Sequence, residues 1–133
     1  MSTSLALRLA ALLGVTAIAA GTFGAHGLQG RVDPTLLPTF ETGVRYHAYH
    51  ALALLALAAL RPRLGRAATW AGWLFFLGSV VFAGSLYALV LSGQRLFGAV
   101  TPFGGVMLLA GWGCLLGVAV RPEAGAVAPP PPS

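Results

Sequence analysis

The apolar positions of this chain run in blocks rather than in stripes. Charged residues fall only at Arg8, Arg31, Asp33, Glu41, Arg45, Arg61, Arg63, Arg66, Arg95, Arg121 and Glu123. Between them lie uncharged windows at 9–30, 46–60, 67–94 and 96–120. A helix that crosses a bilayer needs about 20 largely apolar residues. Three windows meet that length. The 46–60 window is shorter, so its helix must carry Arg45 and Glu41 into its outer turns. The pattern predicts an all-α, four-transmembrane-helix bundle with helices over about 5–25, 39–60, 67–91 and 102–120. It divides the chain into a membrane domain over 1–121 and a Pro-rich tail over 122–133, read as a disordered or polyproline segment in the cytoplasm.

Local signals place the ends. Ser2-Thr3-Ser4 offers caps for the first helix, which should stop among the glycines around His26. Asp33-Pro34 reads as the cap and first position of a short turn, and Pro38 as a break before the second helix. RPRLGR at 61–66 reads as a tight basic turn, and Thr101-Pro102 as the cap and first position of the fourth helix. Trp70 and Trp73 suit an interfacial aromatic belt. Small residues at helical spacing mark faces for close backbone approach: Gly14, Ala17, Gly21 and Gly24 in the first helix, Ser79/Ala83 and Gly84/Ala88 in the third, Gly113/Gly117 in the fourth.

Composition agrees with lipid as the main solvent. Hydrophobic residues make up 57% of the 133 residues and charged residues 8%, against about a quarter in a soluble domain. The formal charge of +5 does not point to nucleic acid, because the arginines are spread over loops and helix ends. Their sides are more telling. Four spans put both termini on one side with Arg8, Arg61, Arg63, Arg66 and Arg121, leaving Arg31, Arg45 and Arg95 opposite. The positive-inside rule then predicts cytoplasmic termini. A competing reading takes Arg8, the apolar run and Ala17-Ile18-Ala19 as a cleavable signal peptide, but the run continues to Phe23. The lone Cys114 allows no intrachain disulfide and reads as a packing residue.

The second helix carries the candidate chemistry. Taking Glu41 as 0°, Arg45 falls at about 40°, Tyr49 at about 80°, Tyr46 at about 140°, His50 at about 180° and His47 at about 240°. So polar a surface cannot face lipid, and it should lie inside the bundle or at a subunit interface. His47 and His50 are about 60° apart and are candidate metal ligands; the alternative is that each imidazole hydrogen-bonds a neighbouring helix. Glu41 and Arg45 suit an ion pair, whether as part of a proton or anion path or as plain neutralisation at the membrane boundary. Gly104-Gly105 after Thr101 would expose amides at a helix N-terminus to an anion, or else allow close packing. His26, Tyr46, Ser85 and Tyr87 complete a candidate polar cluster at the outer ends of the helices. His50 is expected to face protein, with Tyr87 and Ser85 nearest in depth.

GTFGAHGL (21–28), TGVRYHAYHAL (42–52), AGSLYAL (83–89), TPFGGV (101–106) and GW (111–112) together resemble the small inner-membrane family known as domain of unknown function four-two-three, which has a small eukaryotic transmembrane relative. The resemblance implies four transmembrane helices in a bacterial inner membrane. It implies no activity, cofactor, substrate or catalytic residue. No Ser-His-Asp order, phosphate loop or carboxylate pair is present, so no enzyme activity and no cofactor are expected. The reading is of a non-enzymatic membrane protein whose partners are the lipid bilayer and copies of itself or a larger membrane complex. The alternative is a ligand-binding or transport protein with a metal, quinone or ion site in the outer half.

Overall fold

A computed structural model of the chain describes residues 1–116 and 118. Gly117, Arg121 and the Pro-rich tail, on which three of the expectations above rest, lie outside the described residues. The fold is all-helical: α1 (Thr3–Thr22), α2 (Leu37–Leu64), α3 (Arg66–Ser92) and α4 (Leu96–Leu116), with short turns between.

Ser2 caps α1, its hydroxyl accepting from the Leu5 amide at 3.2 Å. The helix then relaxes into one wide turn over Phe23–Gly27, with a π-type bond from the Leu28 amide to the Phe23 carbonyl. Leu28, 2% exposed, anchors the following loop against Phe40 and Val90. Asp33 caps the 3-10 turn Pro34–Leu36 as its spacing predicts, accepting from the Thr35 amide at 2.9 Å and the Thr35 hydroxyl at 2.7 Å. Pro38 opens α2 instead of interrupting it.

Two other expectations are corrected. The segment from Arg61 to Leu64 is helical, with Pro62 inside α2, and the turn shrinks to Gly65 alone at φ +61°. Only glycine adopts that conformation without strain. The fourth helix begins at Leu96, so Thr101 and Pro102 lie within it rather than at its start. Backbone groups in hydrocarbon must bond internally, so α4 continues through Pro102; Pro62 falls in the last turn of α2, just ahead of the stop at Gly65.

α1 packs on α2, α2 on α3, and α3 on α4. The central α2–α3 pair thus has α1 on one flank and α4 on the other, and α1 and α4 share no comparable seam. Ala6, Ala10 and Leu13 of α1 meet Ala51, Leu54 and Ala58 of α2 toward the inner end, the end that holds the chain's N-terminus. Leu57, Ala68, Ala71, Phe75 and Leu108 join α2, α3 and α4. Glycines set the closest approaches. A Cβ on Gly104 would overlap the Phe82 backbone, and one on Gly111 would lie 2.6 Å from the Phe75 ring. Gly113 has open space beside it, and the close contact among the described glycines in this half of α4 is at Gly111. Gly84 is likewise uncontacted.

The surface is an apolar girdle. Val15 and Ile18 on α1, Leu52 on α2, Val80 on α3, and Phe103, Val106 and Leu109 on α4 are all exposed by half or more. Three helical stretches, Thr3–Gly27, Arg66–Ser92 and Leu96–Leu116, are long and apolar enough to cross a membrane. α2 fails that composition test because of its polar outer half. It nevertheless lies against its neighbours along its length, from Phe40 beside Gly24 to Leu57 and Leu64 in the cluster with Ala68, Ala71 and Phe75. It therefore crosses the same thickness.

Candidate functional site

The outer half of α2 divides its polar side chains between two surroundings. His47 and His50 are 8% and 5% exposed, whereas Tyr46 and Tyr49 are 43% and 57% exposed, with Glu41 and Arg45 also at the surface.

His47 bridges α1 and α3. Its Nε2 lies 3.2 Å from the Thr16 hydroxyl and its Nδ1 3.3 Å from the Tyr87 hydroxyl. Thr16 sits 2.7 Å from the Leu12 carbonyl, which can only accept. With the Thr16 proton committed there, Thr16 accepts from His47 Nε2–H, and Nδ1 accepts from Tyr87. A directed chain results, from Tyr87 through His47 and Thr16 to the backbone. It is built in part on Gly43, where a Cβ would lie 2.8 Å from the Tyr87 ring.

His50 turns toward α4. Its Nδ1 lies 2.8 Å from the Tyr46 carbonyl and must donate to it. Nε2 is then free to accept, and the Trp112 indole N–H donates to it at 3.4 Å. The ring lies 5.3 Å from Phe75, itself 4.9 Å from Trp112. Tyr46 covers the other side, 4.8 Å from Phe82 and stacked on His50 at 6.2 Å. The two histidines thus hold opposite tautomers and face different helices.

This arrangement sorts the expected site residues. His50 faces protein, but its partners are Trp112 and its own helix rather than Tyr87 and Ser85. Ser85 instead lies 2.8 Å from Thr101, tying α3 to α4. His26 is exposed in the wide turn after α1, away from both other histidines. His47 and His50 do not converge on one point, and all four ring nitrogens have partners. No group of three or more metal-binding side chains occurs among the described residues. Gly104 and Gly105 lie inside α4, so they expose no helix-end amides; Gly104 serves close packing on Phe82. No ion pair joins Glu41 to Arg45 among the described residues; both border a cleft of about 310 Å³ with Gly21, Gly24 and Phe40.

Two residues that were not singled out complete the site. Thr16 is a hydroxyl in the middle of an apolar helix, a signal available in the sequence. Ser79 reads from the sequence only as a small residue. Its hydroxyl is fully buried and has no partner. It lines a cavity of about 420 Å³ between α1 and α3 whose polar wall is Thr16, His47 and Tyr87 and whose remainder is apolar, including Leu12 and Phe76.

An apolar girdle around helices joined by internal polar bridges defines a polytopic integral membrane protein. The model of the family described as "Protein of unknown function (DUF423)" matches residues 20–105, and the chain belongs to that family. It is 43% identical over 115 residues to the UPF0382 membrane protein YwdK of Bacillus subtilis, covering 85% of this chain and 94% of that one. It is 42% identical over 124 residues to the UPF0382 inner membrane protein YgdD of Escherichia coli K12, covering 91% and 93%. A Staphylococcus haemolyticus membrane protein, SH2409, is 41% identical over 104 residues, covering 78% and 85%. No solved structure matches.

Proposed function

We propose that the chain is a non-enzymatic inner-membrane protein that works as a subunit, assembled with copies of itself or with other membrane proteins through the outer half of α2. The observation that carries this is Tyr49. It lies 12 residues into α2, about 18 Å along the axis and so near the middle of an apolar layer of about 30 Å. Its side chain is 57% exposed. Lipid offers the phenol no hydrogen bond, and a neighbouring subunit does. Arg45 and Glu41 stand one and two turns above it on the same exposed stripe. The test is a photo-crosslinking residue at position 49 in native membranes, with Leu109 on the apolar face of α4 as the comparison. A discrete protein adduct at 49, absent at 109, supports the reading. Lipid adducts alone at both positions overturn it.

A second reading is favoured by Ser79. Its unpartnered hydroxyl beside His47, Thr16 and Tyr87, in a cavity otherwise apolar, suits a lipid-soluble molecule with a carbonyl head, such as a quinone. An absorption spectrum and elemental analysis of the detergent-purified protein separate the two. A bound quinone chromophore selects the second reading.

A further inference from the structure

The inner end of the helices holds a cavity of about 310 Å³ lined by Thr3, Arg61, Pro62, Gly65, Arg66 and Thr69. We infer that it binds a phosphate group, as the headgroup of an anionic phospholipid or as free phosphate.

The donors are arranged for such a ligand. Arg61 donates to the Thr69 hydroxyl at 3.4 Å, which holds its guanidinium across the turn, while its Nε has no hydrogen-bond partner. Arg66 is exposed at the first position of α3, on the rim of the same cavity. Two guanidinium groups on one cavity suit the tetrahedral, multiply accepting phosphate. The turn adds to this field. Gly65 provides no side-chain cap, so the first amides of α3 point toward the cavity's end of the helix without a side-chain acceptor. The two acids among the described residues, Asp33 and Glu41, lie at the opposite end.

The depth fits as well. Trp70, 64% exposed, and Trp73, 36% exposed, follow within two turns of Arg66. Tryptophans at that spacing mark the boundary between hydrocarbon and headgroups. The cavity therefore opens where lipid phosphates lie.

The test uses the full chain in a non-ionic detergent and follows thermal stability and native mass spectra. The probes are dioctanoyl phosphatidylglycerol, dioctanoylglycerol as the phosphate-free match, and inorganic phosphate. Phosphatidylglycerol should bind and raise the melting temperature, and dioctanoylglycerol should not. A response to phosphatidylglycerol without one to inorganic phosphate assigns the site to lipid; a response to both admits the free anion. Arg66→Gln, a change at an exposed position, should weaken binding about tenfold, as expected for loss of a charge-assisted hydrogen bond. Arg61→Gln should weaken it at least as much. If Arg61→Gln does not fold, Arg66→Gln decides. Arg95→Gln, at the far end of the bundle, should leave binding unchanged. No response to either phosphate compound overturns the inference. So does an equal loss in Arg95→Gln, which would mean general attraction between charges.

Discussion

His47 Nε2 and the Thr16 hydroxyl lie 3.2 Å apart and form the only side-chain hydrogen bond between α1 and α2 among the described residues. Thr16→Val keeps the shape of the side chain and removes both donor and acceptor. It should lower stability by about 1 kcal/mol, the scale of hydrogen bonds between membrane helices. Thr16→Ser should restore most of it. Denaturation in mixed micelles, followed by circular dichroism, measures both. A Thr16→Val protein as stable as the parent would remove His47 from the forces joining α1 to α2.

Gly104 and Gly113 give opposite expectations. Gly104→Ala places a methyl group into the Phe82 backbone. α3 and α4 must then separate, with a stability loss of about 1–3 kcal/mol, the range for overpacking. Gly113→Ala meets nothing within 4 Å, so it should shift stability by no more than about 0.5 kcal/mol, as other surface changes do. Melting temperatures of the two variants side by side are sufficient. A large loss at Gly113 would mean that another chain covers this face.

Asp33 supplies a pH dependence outside the membrane. The Thr35 amide, and then the Thr35 hydroxyl, hold its carboxyl below the ordinary value of 3.8. A carboxyl depressed on folding contributes stability that is fully present above its unfolded value and is lost as pH falls through its folded value. The turn before α2 should therefore loosen only below about pH 4. Because the amide is the larger cause, Thr35→Ala should bring the Asp33 titration only part of the way back. Carboxyl carbon NMR against pH reads this directly. Complete return to the ordinary value in Thr35→Ala would assign the effect to the hydroxyl.

Both termini are predicted to face the cytoplasm. The antiparallel order of four helices puts them on the side of Arg61, Arg63 and Arg66, and arginines clustered at the helix ends about a short connection resist export. A phosphatase that is active only in the periplasm, fused after the last residue, should stay silent, and a fusion in the 93–95 turn should be active. The reverse pattern would invert the topology.

The apolar windows made the four helices legible, and the depth of His50 foretold that it would be enclosed by protein. Which helix each imidazole meets was not readable, because that depends on how α2 is rotated between neighbours on both sides. Thr101-Pro102 signals a helix start in water, where an exposed backbone can bond to solvent, and that meaning does not hold inside the membrane; the end of α2 lies beyond Pro62 instead of before it. Thr101 found Ser85 instead of a helix end, and Gly104 found Phe82 instead of an anion. Ser79 was legible only as a small residue; that its hydroxyl lacks a partner is a property of the packed structure.

The placement of α1 and α4 on opposite flanks of the α2–α3 pair bears on permeation. Four helices arranged around a common axis can enclose a lumen. Here the middle of the molecule is two helices in direct contact, filled by Leu54, Ala71 and Phe75, each 0% exposed. Among the described residues these side chains close the seam between α2 and α3. A route past this seam would run beside the α2–α3 pair, and one formed between copies of the chain would make the rate of crossing depend on the state of assembly rather than on the opening of one chain.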